Sequence, residues 1–330
     1  MKKALYILAE RSLNLIYGPA ERAEIAQLVD VYAPPQTAHS VQERPELLHD
    51  VQIIFSGWGA PCFDAAFLAA APHLEAVFYG AGSIRGIVTP EFWDRGITIS
   101  SAWGINAIPV AEYTLSQILF SLKHGWRYAL TVKREGRYPA KWPVPGAYGS
   151  TVALISLGQV GRRVAQLLRL FDLHVIAYDP FIHPDEANNL GVTLCSLEDA
   201  FRQADVVSLH TPWLKETEGM ITGAHFRLMK EGATFINTAR GAVVNEPEMI
   251  EVLQARPDLF AVLDVTYPEP PLPGSPLYTL PNVILTPHIA GAMDNECRRM
   301  GQEMINELRR YLSDEPLHWS ITQEQAVYLA

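Results

Sequence analysis

Short apolar runs recur along this chain without the in-and-out alternation of a strand that has water on one face. Residues 152–156, 205–209 and 260–264 are examples. A strand that is apolar on both faces must be covered on both faces, which is the condition of a parallel sheet with helices above and below. The stretches between these runs carry helical spacing, so strand and helix alternate along the chain. In the first hundred residues the strand candidates are 4–8, 29–32, 52–55, 76–78 and 97–99, with helical patterns at 20–28 and 63–70. A second series follows at 152–156, 174–177, 192–194, 205–209, 234–237, 260–264 and 283–285. Between the two series, Val110, Ala111, Thr114, Leu115, Ile118, Leu119 and Leu122 keep i, i+3, i+4 spacing and predict a long helix from Asn106. Residues 125–149 lose that spacing and read as an arm or long loop. A last helix is expected over 292–312, with Met293, Cys297, Met300, Met304 and Leu308 on one stripe.

Length and composition narrow the function. At about 150 residues per domain, 330 residues suggest two domains. Hydrophobic residues make up 48% and charged residues 19%, which excludes a disordered chain. Lys and Arg number 26 against 36 Asp and Glu, a net charge of −10. That balance argues against a nucleic-acid binder, which needs cations to neutralise phosphates. The three cysteines Cys62, Cys195 and Cys297 are far apart, and no Cys/His cluster has metal-ligand spacing. Neither a disulfide scaffold nor a metal site is expected, and a reducing, cytoplasmic setting fits. The uncharged stretches 142–161 and 270–293 are broken by Pro and Gly, so no membrane span is expected. The start, Met1-Lys2-Lys3 and an apolar core of six residues ended by Glu10-Arg11, reads as a first strand rather than a leader.

The strongest local signal is the strand at 152–156 running through Ser156-Leu157-Gly158-Gln159-Val160-Gly161 into a helix with Val164, Leu167 and Leu168 inward. Gly158 would let backbone approach a pyrophosphate, Gly161 would let helix pack on strand, and the free N–H groups of the helix start would bind phosphate oxygens. Ser156 stands where the dinucleotide fingerprint has its first glycine. The next strand ends in Asp179-Pro180, 18 residues after Gly161. A carboxylate there suits ribose hydroxyls and repels a 2′-phosphate, and Pro180-Phe181-Ile182 offers no arginine to hold one. NAD is therefore expected over NADP.

Three later strands end in chemistry. Asn237-Thr238-Ala239-Arg240-Gly241 ends one in a guanidinium. Asp264-Val265-Thr266-Tyr267-Pro268-Glu269 ends another in two carboxylates. Thr286-Pro287-His288 ends a third in an imidazole. Ligands of open α/β sheets bind beyond the carboxyl ends of strands, so the three would share one crevice. In such a crevice a bidentate cation can hold a carboxylate ligand, and an acid–base group can give or take a proton. Arg240 supplies the first. His288 is the side chain of this set that changes charge near neutral pH. Glu269, bonded to the imidazole, would fix its tautomer and stabilise the imidazolium.

From about Gly80 to Arg310 the chain resembles the D-isomer-specific 2-hydroxyacid dehydrogenase family, with these motifs in the family's order and spacing. The resemblance implies catalytic roles for Arg240, Glu269 and His288, and a nicotinamide contact for Asp264. It adds His210, Thr211, Pro212 and Thr217 as a cofactor-side loop, Thr238 and Ala239 beside the cofactor, and Gly80, Ala81 and Gly82 as a substrate-carboxylate turn. Trp58 and Tyr79 border that turn, and Trp142 resembles a tryptophan that reaches a partner's site in relatives. The implied fold is α/β, with two Rossmann-like doubly wound parallel-sheet domains and a cleft between them. One is a flavodoxin-like substrate domain, 1–104 completed by 290–330, and the other an NAD-binding domain, 105–289. Val265-Thr266-Tyr267 departs from the family's usual residues there but removes no catalytic group. Glu269 is an acid, which disfavours the family's formate-oxidising members, where glutamine replaces it. Two functions follow: oxidoreduction of a small 2-hydroxy or 2-oxo acid, or NAD(H) sensing like that of the family's corepressors. The aromatics Trp126, Tyr128, Tyr138, Trp142 and Tyr148 predict a homodimer through the coenzyme domain.

Overall fold

The computed structural model describes residues 1–328. The chain forms two compact units, Met1–Asn106 with Ala292–Ala330, and Ala107–Gly291.

The first unit holds β1 (Lys3–Tyr6), β2 (Asp30–Val31), β3 (Ile53–Ser56), β4 (Ala76–Tyr79) and β5 (Thr98–Ser101). Their order is β2-β1-β3-β4-β5, every pair parallel. This is the flavodoxin-like order. In β3 the side chains of Ile53 and Phe55 enter one apolar cluster while Ile54 enters the cluster on the opposite face. The uniform apolarity of the sequence is thus used on both sides. Tyr17, wholly buried, donates its hydroxyl to the carbonyls of Ser56 (3.0 Å) and Phe78 (3.1 Å) and so ties the ends of β3 and β4.

The same unit is closed by the carboxyl-terminal segment. The helix Glu296–Leu312 carries Glu307, which is fully buried. Its carboxylate accepts from Ser100 Oγ at 2.7 Å, from the backbone N–H groups of His318 (3.1 Å) and Trp319 (2.9 Å), and from Arg310 at 2.9 Å. These bonds lay residues 318–321 along the outer edge of β5, where Ser101 N–H donates to Trp319 O and Ile321 N–H to Ile99 O. An otherwise open sheet edge is covered. The helix begins four residues later than its sequence stripe, and Met293 lies outside it, 46% exposed.

The second unit holds β6 (Thr151–Ile155), β7 (His174–Tyr178), β8 (Thr193–Leu194), β9 (Val206–Leu209), β10 (Thr234–Asn237), β11 (Phe260–Leu263) and β12 (Val283–Leu285). All are parallel, in the order β12-β11-β10-β9-β6-β7-β8. This is the doubly wound dinucleotide-binding order, with its switch point between β6 and β9. Val152 and Leu154 face one core, Ala153 and Ile155 the other. The expected fold class of two doubly wound parallel-sheet domains is what forms. Among the described residues, no helix is long and apolar enough to cross a membrane.

Two local expectations need correction. The long helix runs from Trp103 to Leu122, three residues earlier than its spacing predicts, because Ile105 and Asn106 N–H groups already bond to Ala102 O. Pro109 therefore sits inside the helix. The supposed arm begins as a helix, Gly125–Glu135, and only 136–149 lacks regular structure. His124 enters it at φ +50° and Gly136 closes it at φ +65°, its N–H bonded to Val132 O. Lys133 and Arg134 in the last turn complement the helix dipole. A mostly polar, aromatic-rich face hid this helix from a search for apolar stripes.

Replacing Glu307 by Ala should strand four donors around a buried hole. A loss of about 3 kcal/mol or more is expected, as for a buried ion pair stripped of one member. Thermal unfolding measures it, and a melting temperature equal to wild type would show that the segment 318–321 is held by packing alone.

Candidate active site

The turn after β6 is built around Ser156, whose φ of +77° is a left-handed conformation that L residues seldom adopt. Its N–H donates to Tyr178 O at 2.8 Å, and its Oγ lies 2.8 Å from Thr211 Oγ1 at the end of β9. The two glycines differ in what requires them. A Cβ at Gly161 would stand 2.2 Å from Ser156 O, so that glycine is needed for helix to meet turn. A Cβ at Gly158 would meet nothing within 4 Å, so no protein atom demands a glycine there. Open space over an unsubstituted backbone, at the start of the helix Gln159–Leu168, is the shape a pyrophosphate needs. The amides of Gln159, Val160 and Gly161 lie in the first turn, where the helix offers no acceptor. The residues present fit a dinucleotide.

Asp179 follows β7 with both oxygens engaged. Oδ2 accepts from Leu157 N–H in the glycine turn (2.7 Å), and Oδ1 from Phe181 (2.8 Å) and Ile182 (3.1 Å). It anchors the turn as well as placing a negative charge beside it, while Pro180 is exposed. Across the switch point, His210 N–H donates to Ile155 O at 2.8 Å. Its ring is buried, with Nε2 3.0 Å from Ser208 Oγ and Nδ1 without a partner among the described residues. Burial pulls its pKa down to about 3, so it is a neutral imidazole. Thr217 Oγ1 donates to Pro212 O (2.6 Å) and accepts from Leu214 N–H (2.8 Å), which closes the loop after Thr211 and Pro212 on itself.

The ends of β10, β11 and β12 hold the titratable cluster. Asn237 accepts from Ala239 N–H (2.9 Å) and donates to Arg240 O (3.1 Å), folding the chain into a turn. Thr238 Oγ1 is fixed 3.0 Å from Thr114 Oγ1 of the long helix. A Cβ at Gly241 would lie 2.0 Å from the Thr266 backbone, so this glycine lets the Arg240 turn press against the loop after β11. Arg240 donates to Ala239 O at 2.7 Å. Burial lowers its pKa and the charge of Glu269 opposes that shift, so the guanidinium stays cationic beside the carboxylate. Glu269 Oε1 lies 2.6 Å from His288 Nδ1, with both side chains nearly half exposed. Nε2 takes no part in this pairing.

His288 itself sits at φ +54°. Asp264, 2% exposed, holds the turn that imposes this: its O accepts from His288 N–H (2.9 Å), Oδ1 from Ile289 N–H (2.9 Å) and Oδ2 from Ala290 N–H (2.8 Å). Strained backbone fixed by surrounding bonds is characteristic of functional turns. This organising role of Asp264 was hidden in the sequence, where its carboxylate read only as a nicotinamide contact.

In the first unit, Gly80 is packed tightly: a Cβ would meet Ile16 at 2.5 Å and the Tyr17 hydroxyl at 2.8 Å. Gly82 is open, with only Asn106 Nδ2 at 3.7 Å. Ser101 Oγ braces the turn at Ala81 O (2.9 Å) and Gly82 O (2.5 Å). Tyr79 belongs to the core at 5% exposure, whereas Trp58 is 37% exposed. Trp142, in the second unit, stacks on Tyr128 with ring centroids 4.8 Å apart.

Sheet order and turn together define a dinucleotide-binding α/β protein. A family model described as D-isomer specific 2-hydroxyacid dehydrogenase, NAD binding domain, matches residues 115–290. The chain belongs to this D-isomer-specific 2-hydroxyacid dehydrogenase family. It is 34% identical over 230 residues to the D-3-phosphoglycerate dehydrogenase of Archaeoglobus fulgidus, covering 69% of this chain and 44% of that one. It is 32% identical over 252 residues to the glyoxylate reductase of Korarchaeum cryptofilum, covering 74% of each. The NAD-complexed D-isomer specific 2-hydroxyacid dehydrogenase of Lactobacillus delbrueckii ssp. bulgaricus shares the fold, with a TM-score of 0.79, 22% identity, and coverage of 98% of this chain and 100% of that one. The chain spans about half the length of the phosphoglycerate dehydrogenases it matches.

The depressed His210 pKa carries a prediction. In the unfolded chain an imidazole titrates near 6.5, but folded His210 stays neutral down to about 3. As pH falls below 6.5 the unfolded state takes up the proton first, so stability declines from there toward pH 3 by about 1.4 kcal/mol per unit. His210→Gln should flatten that part of the stability profile. Thermal melts between pH 7 and 4.5 test this, and parallel profiles for the two proteins would disprove it.

Proposed function

We propose that the protein interconverts a small D-2-hydroxy acid and its 2-oxo acid with NAD. The observation that carries this reading is the 2.6 Å pairing of His288 with Glu269 beside the cationic Arg240, at the carboxyl ends of adjacent strands. NAD, when bound, supplies the hydride chemistry at C2 of the acid. Arg240 grips the substrate carboxylate and carbonyl oxygen through its planar fork, and its effect grows as that oxygen gains charge. His288 gives its Nε2 proton to the oxygen during reduction and takes it back during oxidation. Glu269 holds Nδ1 and thereby keeps the exchangeable proton on Nε2. Gly158, Gln159, Val160 and Gly161 hold the pyrophosphate, and Asp179 disfavours a 2′-phosphate, so NADH is preferred to NADPH. The free thiols Cys62, Cys195 and Cys297 suit a reducing, cytoplasmic setting.

Purified protein assayed with a panel of 2-oxo acids, and with NADH and NADPH in parallel, tests the reading. His288→Asn should keep NADH binding and lose turnover by roughly a hundredfold or more. Arg240→Lys should raise KM for the acid and lower kcat together, because an ammonium cannot reproduce the bidentate fork. Normal kinetics in either variant would refute the assigned roles, and equal use of NADPH would refute the part given to Asp179.

We further propose a homodimer through the second unit. Tyr138 (88%), Tyr148 (86%), Phe120 (42%) and Trp142 (39%) are exposed on or beside the 136–149 segment, an aromatic concentration typical of interfaces. Light scattering at micromolar concentration should give twice the 36.7 kDa chain mass. A monomer there would exclude it.

A further inference from the structure

A hydrogen-bonded chain runs from the long helix to the His288 turn, and it starts at a residue, Tyr113, that no sequence motif marks. Tyr113, on the helix Trp103–Leu122, has its hydroxyl 3.0 Å from Thr286 Oγ1. Thr286 Oγ1 in turn donates to Asp264 Oδ1 at 2.6 Å. The direction of the chain follows from proton counting. An ionised carboxylate only accepts, so the single hydroxyl proton of Thr286 is committed to Asp264. The Thr286 oxygen must then accept, and Tyr113 is the donor. Burial raises the Tyr113 pKa above its ordinary value, the bond to Thr286 opposing it and the charge of Asp264 adding to it, so the phenol keeps the proton it donates.

The far end of the chain is the carboxylate that shapes the catalytic turn. Asp264 takes Thr286 and Ile289 N–H on Oδ1 and Ala290 N–H on Oδ2, while its own carbonyl takes His288 N–H. Successive bonds of this kind polarise one another. If Tyr113 stops donating, Thr286 can rotate its hydroxyl elsewhere, and the Asp264 carboxylate loses one of the three bonds that fix its orientation. The turn that holds His288 at φ +54° then loosens. The charged group paired with the imidazole is Glu269, at 2.6 Å, whose charge also acts on Arg240, and the pairing of Glu269 with the ring depends on where that turn holds His288.

We propose that Tyr113 is a positioning residue of this site, acting on His288 through Thr286 and Asp264 without touching substrate or cofactor. The inference rests on the dehydrogenase reading above, and its test separates the two. Tyr113→Phe removes one oxygen and keeps the ring. It should lower kcat for reduction of the 2-oxo acid by about tenfold, while NADH Kd changes by less than about twofold. Thr286→Val should do the same, the double variant should lose no more than the worse single one, and Thr286→Ser should restore most of the rate. In protein labelled with 15N-histidine, the His288 ring signals, assigned by their loss in His288→Asn, should shift in Tyr113→Phe. Wild-type kcat with unmoved His288 signals would overturn the proposal, as would losses that add in full in the double variant. If the wild-type protein reduces no 2-oxo acid, the dehydrogenase reading fails, and the His288 signals still decide whether Tyr113 governs the ring.

Discussion

The carboxylate of Asp264 is the point on which the turn after β12 depends. It is almost fully buried, and a buried charge is tolerated only when its oxygens are fully used. Here they are used by the segment that follows β12: a threonine hydroxyl and two consecutive backbone N–H groups. The desolvation cost of the carboxylate is thereby converted into the shape of one turn. A backbone conformation that would otherwise relax is held open, and a histidine is presented at its apex. Strand pairing between β11 and β12 brings the two partners into register, and the same sheet brings β10 and its arginine alongside.

Much of this was legible before any coordinates. Strands covered on both faces declare themselves by unbroken apolarity, which is why the run 283–285 matches the observed β12 and the run 260–264 overlaps β11. The glycine turn was legible because its chemistry is local: Gly158 and Gly161 act within one strand-turn-helix. Arg240, Glu269 and His288 stand out by their order and spacing, and the structure pairs Glu269 Oε1 with His288 Nδ1 at 2.6 Å.

What the sequence concealed depends on partners far away in the chain. Glu307 looks like one more solvated acid on a helix, yet it bonds to Ser100, 207 positions away. Tyr113 falls in an amphipathic pattern and has no motif, while its partner Thr286 lies 173 positions on. Asp179 was read for the ligand it would face, but three backbone amides show that it also builds the turn. The helix Gly125–Glu135 escaped notice because its inward face is not an aliphatic stripe. Pattern reading sees periodicity and local chemistry, and it does not see a hydrogen bond that closes only when the sheet is assembled.

Ser156 stands where the dinucleotide fingerprint has a glycine. A glycine would reach φ +77° without penalty, and the serine bears that strain. In return its hydroxyl meets Thr211, so the turn after β6 and the turn after β9 are linked across the switch point. A strut of this kind ties two loops together in the protein alone. A nucleotide that binds over them would spend less of its binding energy on ordering those loops.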